Sequence, residues 1–378
     1  MHSANTLPAS FVLERAVAFL RRTFAVFGVS GCLVAAWAAP SDVFLSARPE
    51  PLKGEATLEV GIDRMNTQLD VLGLRTTSSN TDTATSSYGA HHLSGGLKLG
   101  EQGWLTGSLR QRAIADGGGT YRYASWQVSG QYRLLEEQSW QPATALRVSA
   151  WGNYADQTES NKAVVVPGAK LDSVKIARPA DRQLQADLVG TWNPYGGTEV
   201  SAALGLGTSE LSYGSLSATT TMDGCNYNLS FTGNAVYGVV ASPCSTGIYV
   251  KEIYDNSGRL GIDVANEIAW RGNFVQAGFN ARWQHGPWTW RAGYLFFMVQ
   301  RDAVDAILAS RKQTSYAQNH SIGLEASYRL QGNLQLFATG LISSNLFFND
   351  IPITYNTSTA ARFGSRYSVF GTGLRFNF

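Results

Sequence analysis

Few residues in this 378-residue chain are spaced to do chemistry together. His92-Leu93-Ser94 sets an imidazole and a hydroxyl two residues apart. On an extended strand those side chains share a face, so His92 could serve as base to a Ser94 nucleophile. His285 falls in a turn sequence, and His320 adjoins Ser321, so those two side chains point to opposite faces of a strand. Cys225 and Cys244 bracket a Ser/Thr/Asn/Gly-rich stretch and fit a disulfide that pins a long loop. No C-x-x-C or Cys/His spacing suggests zinc, and Gly117-Gly118-Gly119 opens no helix that could cradle a phosphate. Neither a metal nor a cofactor is expected. The remaining chemistry is charge, and its placement depends on the elements that carry it.

Only 15% of the residues are charged while 44% are hydrophobic, and there are 39 glycines. A soluble globular protein carries about 25% charge. The apolar content excludes a disordered chain, and 3 Cys exclude a disulfide framework. Past residue 54 the sequence alternates with period two over runs of about ten residues. Leu184, Ala186, Leu188, Gly190 and Trp192 interleave with Gln183, Gln185, Asp187 and Thr191; Val275 to Trp283 and Ile322 to Leu330 behave alike. Tight turns recur at Gly100-Glu101-Gln102-Gly103, Asn193-Pro194-Tyr195-Gly196-Gly197, Asn256-Ser257-Gly258, Gly286-Pro287 and Gln331-Gly332-Asn333. Long polar stretches alternate with them near 66–87, 156–181, 214–246, 302–317 and 344–365. Short turns on one rim, long loops on the other, and aromatics at strand ends (Trp104, Trp126, Trp151, Trp192, Trp270, Trp283, Trp288, Trp290, Tyr367) describe an all-β, antiparallel transmembrane barrel. No plug domain or amphipathic helix follows the N-terminal segment, which argues against TonB-dependent transporters and tunnel-type exporters.

Strand direction supplies a count. Reading forward gives seven strands ending at 198–213, and reading back from Phe378 gives six, beginning at 259–270. Both flanking strands would run outward, so an inward strand at Gly247–Tyr254 is required between them, for a total of about fourteen. This count makes Arg271-Gly272-Asn273 a short external turn. With apolar residues toward lipid, the alternate positions place Lys98, Arg110, Arg112, Arg133 and Arg147 on one arc of the lumen. Asp187, Glu199, Asp263 and Glu267 fall on the next arc, followed by Arg282 and Arg291, then Glu325, Arg329 and Arg375. A lumen with segregated charge would select small hydrophilic solutes.

At the N-terminus, Arg15, Arg21 and Arg22 precede an uncharged run from Thr23 to Ser41 that contains Ala36-Trp37-Ala38. This is the pattern of a secretory signal over 1–38, cleaved after Ala38, with 39–54 a short periplasmic lead-in and 55–378 the barrel. Val29-Ser30-Gly31-Cys32 resembles a lipoprotein box, which would acylate Cys32 instead. Losing 1–38 leaves equal numbers of acidic and basic residues, so nucleic acid is not an expected partner.

Ser368, Phe370, Thr372, Leu374, Phe376 and Phe378 alternate to a terminal aromatic. This segment resembles the last strand of Gram-negative outer-membrane barrels. The resemblance implies outer-membrane lipid and the barrel assembly machinery as partners, with Phe370, Phe376 and Phe378 as the assembly signal. It names no subfamily and no function; a porin-like channel is the expected function on the size of the barrel and the charge of its lumen. His92-x-Ser94 resembles the H-x-S element of outer-membrane phospholipase and lipid A deacylase, although Gly95 stands where those families carry Asn. A lipid hydrolase, or a surface barrel acting through its loops, is the alternative. N-terminal sequencing of the exported protein is expected to start at Ala39; an intact Arg15 or an acylated Cys32 would contradict the processing.

Overall fold

The computed structural model describes residues 42–48, 55–65, 87–116, 119–160, 164–166, 169–242, 244–245, 250–257, 267–345, 349–357, 359–364 and 366–378. The expected signal over 1–38, and with it Cys32, lies outside them. The strands in chain order are β1 (Ala56–Met65), β2 (Ser87–Leu99), β3 (Gly103–Asp116), β4 (Gly119–Leu135), β5 (Ala143–Tyr154), β6 (Gln157–Ser160), β7 (Val164–Val166), β8 (Ala169–Ala177), β9 (Ala180–Tyr195) and β10 (Thr198–Ser212). They continue with β11 (Ser215–Met222), β12 (Cys225–Thr232), β13 (Ala235–Val240), β14 (Glu252–Asn256), β15 (Arg271–His285), β16 (Trp288–Arg301), β17 (Gln318–Gln331), β18 (Leu334–Ser343) and β19 (Tyr367–Asn377). One short helix, α1 (Val304–Ser310), lies between β16 and β17.

Twelve of these strands close into an antiparallel barrel in the order β1-β2-β3-β4-β5-β9-β10-β15-β16-β17-β18-β19, and β19 pairs back onto β1 from Thr57↔Asn377 to Met65↔Val369. The interior and exterior invert the usual rule of burial. Leu188 and Leu204 are 52% and 60% exposed, whereas Asp187 and Gln276 are 1% and 3% exposed. Apolar residues cover the outside, and the polar partners in each alternation point inward, which is the arrangement lipid demands. The turns at Gly197, Gly286 and Gly332 have positive φ (81°, 59° and 57°), a conformation L side chains avoid, and this accounts for glycine at the tight rim.

The barrel has twelve strands, not fourteen. β10 pairs directly with β15 from Thr198↔Trp283 to Glu210↔Arg271, so the ladder leaves no place for two strands between them. In the expected strand 259–270, residues 259–266 lie outside the described residues, Glu267 and Ile268 are helical, and Trp270 donates its indole N–H to the carbonyl of Tyr355 at 2.9 Å. The Gly247–Tyr254 segment contributes to β14, which belongs to a second, open sheet, ordered β14-β13-β12-β11-β8-β6 with β7 on β8. Arg271-Gly272-Asn273 begins β15 and makes no turn. Trp270, at the end of that expected strand, packs instead with Ile353 and Tyr355 of the β18–β19 loop.

The open sheet lies in the long connections on the many-looped side. One face packs Leu171, Leu216, Tyr227, Leu229, Phe231 and Val236 together, and the Cys225–Cys244 disulfide ties the chain after β13 to the start of β12. Of the strand-end aromatics, Trp283, Trp288 and Trp290 face outward at 39–42% exposure, as a girdle should. Trp104, Trp151, Trp270 and Tyr367 are buried and point inward, so they belong to the filling of the barrel. Leu204→Arg, at mid-strand on the lipid face, is expected to lower stability by about 2–4 kcal/mol, while Leu330→Arg near the tight rim costs about 0–1 kcal/mol. Denaturant titration from lipid vesicles reads both; equal costs would contradict the membrane placement.

Candidate functional site: a charged lumen closed from both ends

The interior is occupied at each end by chain that is not wall. Residues 42–48, expected as a periplasmic lead-in, lie inside the barrel. Leu45 and Ala47 pack on Ala143, Ala145 and Val189. The Asn280 side chain donates to the Leu45 carbonyl (2.7 Å), Gln131 donates to that of Ser46 (2.9 Å), and the Ala47 N–H donates to Thr191 Oγ1 (2.8 Å). Two wall glycines make room for this segment. A Cβ on Gly293 would lie 2.3 Å from the Val43 carbonyl oxygen, and one on Gly323 would lie 2.3 Å from Val43 Cγ2.

From the other end, the β18–β19 loop folds inward. Ile351, Ile353, Tyr355 and Phe363 pack on Trp151, Phe274 and Phe297 of the wall, together with Val304 and Leu308 of α1. Polar anchors hold the same loop: Asp181 Oδ2 accepts from the Ile353 N–H (2.9 Å), and Asn153 Nδ2 donates to the Asp350 carbonyl (3.1 Å). Arg301 lies over the Tyr355 ring at 3.8 Å.

The lumen charges form pairs. Arg110 faces Asp63 (3.6 Å), Arg282 faces Glu199 (3.2 Å), Arg291 faces Glu325 (3.6 Å), and Arg375 bridges Glu59 (2.7 Å) and Glu325 (3.4 Å). Arg147 meets Asp42 of the inserted segment at 3.4 Å. Lys98 and Arg133 sit at the tight-turn rim, on Glu101 (3.1 Å) and Glu136 (2.6 Å). Arg112 donates to Ser125 (2.9 Å), Asn153 (3.1 Å) and the Asp350 carbonyl (3.4 Å), so it anchors the inward loop. Asp187 accepts from Gln185 (2.5 Å) and Gln276 (2.9 Å).

Glu267 is not on a barrel strand. Arg311 grips it with two bonds (2.9 and 2.7 Å) and Thr357 donates to it (2.8 Å), so it ties three loops together. Asp263 lies outside the described residues. Glu59 and Asp63 went unread in the sequence, although their alternation with Leu58, Val60 and Ile62 on β1 carried the signal. They put carboxylates beside the arc that looked purely basic.

His92 and Ser94 both face the lumen. The His92 nitrogens point to Asp63 (Nδ1, 3.3 Å) and Glu59 (Nε2, 3.5 Å), so the nitrogen that a serine nucleophile would need is turned to a carboxylate. The imidazole crosses above Gly61, where a Cβ would come within 2.4 Å of the ring. His92 is thereby placed as a member of the charge network. Between residues 42–48 and the wall there remains a cavity of about 240 Å³, lined by Arg147, Arg282, Arg291, Arg375, Glu59 and Glu199 among others.

No protein-family model matches the sequence, and no curated protein matches it. Solved structures resemble it in fold. The translocator domain of autotransporter NalP from Neisseria meningitidis is 8% identical, with 98% of each chain covered and a TM-score of 0.45. The NanC porin is 7% identical over 84% of this chain and all of its own, at a TM-score of 0.37. LpxR from Salmonella typhimurium is 9% identical over 85% of this chain and all of its own, at 0.38. These likenesses concern the barrel alone. The protein is an outer-membrane-type β-barrel by its own closed ladder and inverted burial.

Glu325 is 6% exposed and holds two guanidinium groups. Removing one partner of a buried charge cluster costs about 3–5 kcal/mol. Glu325→Gln is therefore expected to lower stability by about 3 kcal/mol in a denaturant titration. A change within about 0.5 kcal/mol, typical of surface sites, would show that the network is not structural.

Proposed function

We propose that the protein is a bacterial outer-membrane channel for small hydrophilic solutes, kept closed at rest by its own N-terminal segment. The observation that carries this reading is the way the lumen is filled. Eight strands are about filled by their own side chains, and twelve enclose more space than that. Here the surplus is taken up by chain that is not part of the wall, beside a polar cavity of about 240 Å³.

The two fillings differ in kind. The β18–β19 loop is seated on an apolar cluster and joined covalently to strands at both ends, so it narrows the path as a fixed constriction. Residues 42–48 join no barrel strand and are held by side-chain hydrogen bonds, two ion pairs and a small apolar cup. Their release breaks no ladder bond. Each such bond contributes about 0.5–1.5 kcal/mol net, so docking is of the size that a population shift can reverse.

Export through the 1–38 signal, and membrane insertion guided by the terminal Phe378, complete the reading. A second reading is favoured by the disulfide-fastened open sheet, whose Asn226, Asn228, Ser230 and Thr232 are exposed on one face: a surface barrel acting through its loops. The hydrolase alternative is not favoured by the His92 geometry.

Planar-bilayer recordings decide between them. The refolded chain is expected to show small or rare steps, and a variant lacking residues 42–48 is expected to show larger and more frequent ones. Absence of steps above leak in both would overturn the channel and leave the surface reading.

A further inference from the structure

The cavity beside residues 42–48 has a charge arrangement that closure alone does not require. Arg282 and Arg291 stand directly opposite each other on β15 and β16, and like charges so placed destabilise a sheet. Both line the cavity with Arg147 and Arg375. The wall answers three of these guanidinium groups with carboxylates: Glu199 on Arg282, Glu325 on Arg291, and Glu59 with Glu325 on Arg375.

For Arg147 the ion-pair contact comes from elsewhere. Its Nη2 bonds the Ser129 hydroxyl at 3.2 Å, and Asp187, its neighbour across the strands, holds Gln185 and Gln276 through Oδ1 and attracts Arg147 only from beyond ion-pair distance. The carboxylate that reaches it is Asp42 of the inserted segment, at 3.4 Å. Asp42 lines the same cavity, and its other oxygen accepts the Phe44 N–H at 3.0 Å, which aims the carboxyl group at the wall. A guanidinium fork suits a carboxylate from any source, and the longer of these contacts leave room for a better-fitting one.

We propose that this cavity is a binding site for a small carboxylated solute, in which Asp42 is a built-in stand-in for the solute's own carboxylate. The solute takes the place of Asp42 on Arg147, while Arg282 and Arg291 supply the remaining positive field. A volume of about 240 Å³ lies below the range of drug-sized pockets, about 300–1,000 Å³, and fits an occupant the size of a sugar acid. Since solute and Asp42 compete for one arginine, binding favours the undocked segment, and undocking favours binding. The inference deepens the channel reading by naming the solute class, and it relies on that reading only for how the solute arrives.

Glucuronate and glucose, alike in size and differing in charge, are the probes, titrated calorimetrically into the full exported chain in detergent. Glucuronate is expected to bind about tenfold or more tighter than glucose, since a charged hydrogen bond contributes at least that much. Asp42→Asn removes the competitor and is expected to raise glucuronate affinity severalfold. Arg147→Gln is expected to lower it about tenfold. Asp42 lies off the wall, so Asp42→Asn keeps the test valid even if Arg147→Gln fails to fold. Equal affinity for the two probes, or an Asp42→Asn affinity unchanged from the parent, would overturn the site. Glucuronate binding without bilayer steps supports the site and overturns the channel; conductance without preferential binding does the reverse.

Discussion

Hydrocarbon offers no partner to a backbone N–H or C=O, so every strand that crosses it must be paired on both sides. The ladder between β1 and β19 meets that demand by joining the two ends of the chain's barrel. Much else follows from that closure. One face of every strand must be apolar and the next polar, which is why low overall charge coexists with a highly charged interior. Closure also fixes the circumference, and hence an interior that twelve strands cannot fill with side chains alone.

The filling is where this barrel acquires individual character. Toward the looped end, Ile351, Tyr355 and Phe363 meet lumen-facing Phe274 and Phe297, so the wall itself turns apolar inside. Toward the tight-turn end the wall returns to charge and carries small residues, Ala143, Ala145, Gly293 and Gly323, where residues 42–48 lie. One interior thus contains a packed core and a polar cavity in succession. Ion pairs between them tie strands together: Arg375 on β19 reaches Glu59 across the seam on β1 and, past β18, Glu325 on β17.

Much of this was legible in the sequence. All twelve barrel strands were readable from alternation, because a strand between lipid and a polar lumen has no other way to be written. The Cys225–Cys244 pair was readable from the composition between the cysteines. The failures have physical causes. Residues 259–270 look like strand in sequence, yet Trp270 packs on the Tyr355 loop and Ile268 against the open sheet. Trp104 and Trp151 sit at strand ends as girdle residues do, but strand-end position does not reveal which face an aromatic occupies. The insertion of residues 42–48 was hidden, since its receptor is assembled from glycines and alanines on separate strands that only the closed barrel brings together.

The proposed closure of the lumen by residues 42–48 at its tight-turn end can be tested directly. The most direct measurement places Val43→Cys and Gly323→Cys in one chain, at the point where Val43 meets the wall, and records single-channel conductance under oxidising and then reducing conditions, with each single variant as control. Oxidation of the double variant is expected to abolish opening and reduction to restore it, while the single variants do not respond. Conductance that is indifferent to the cross-link would contradict it.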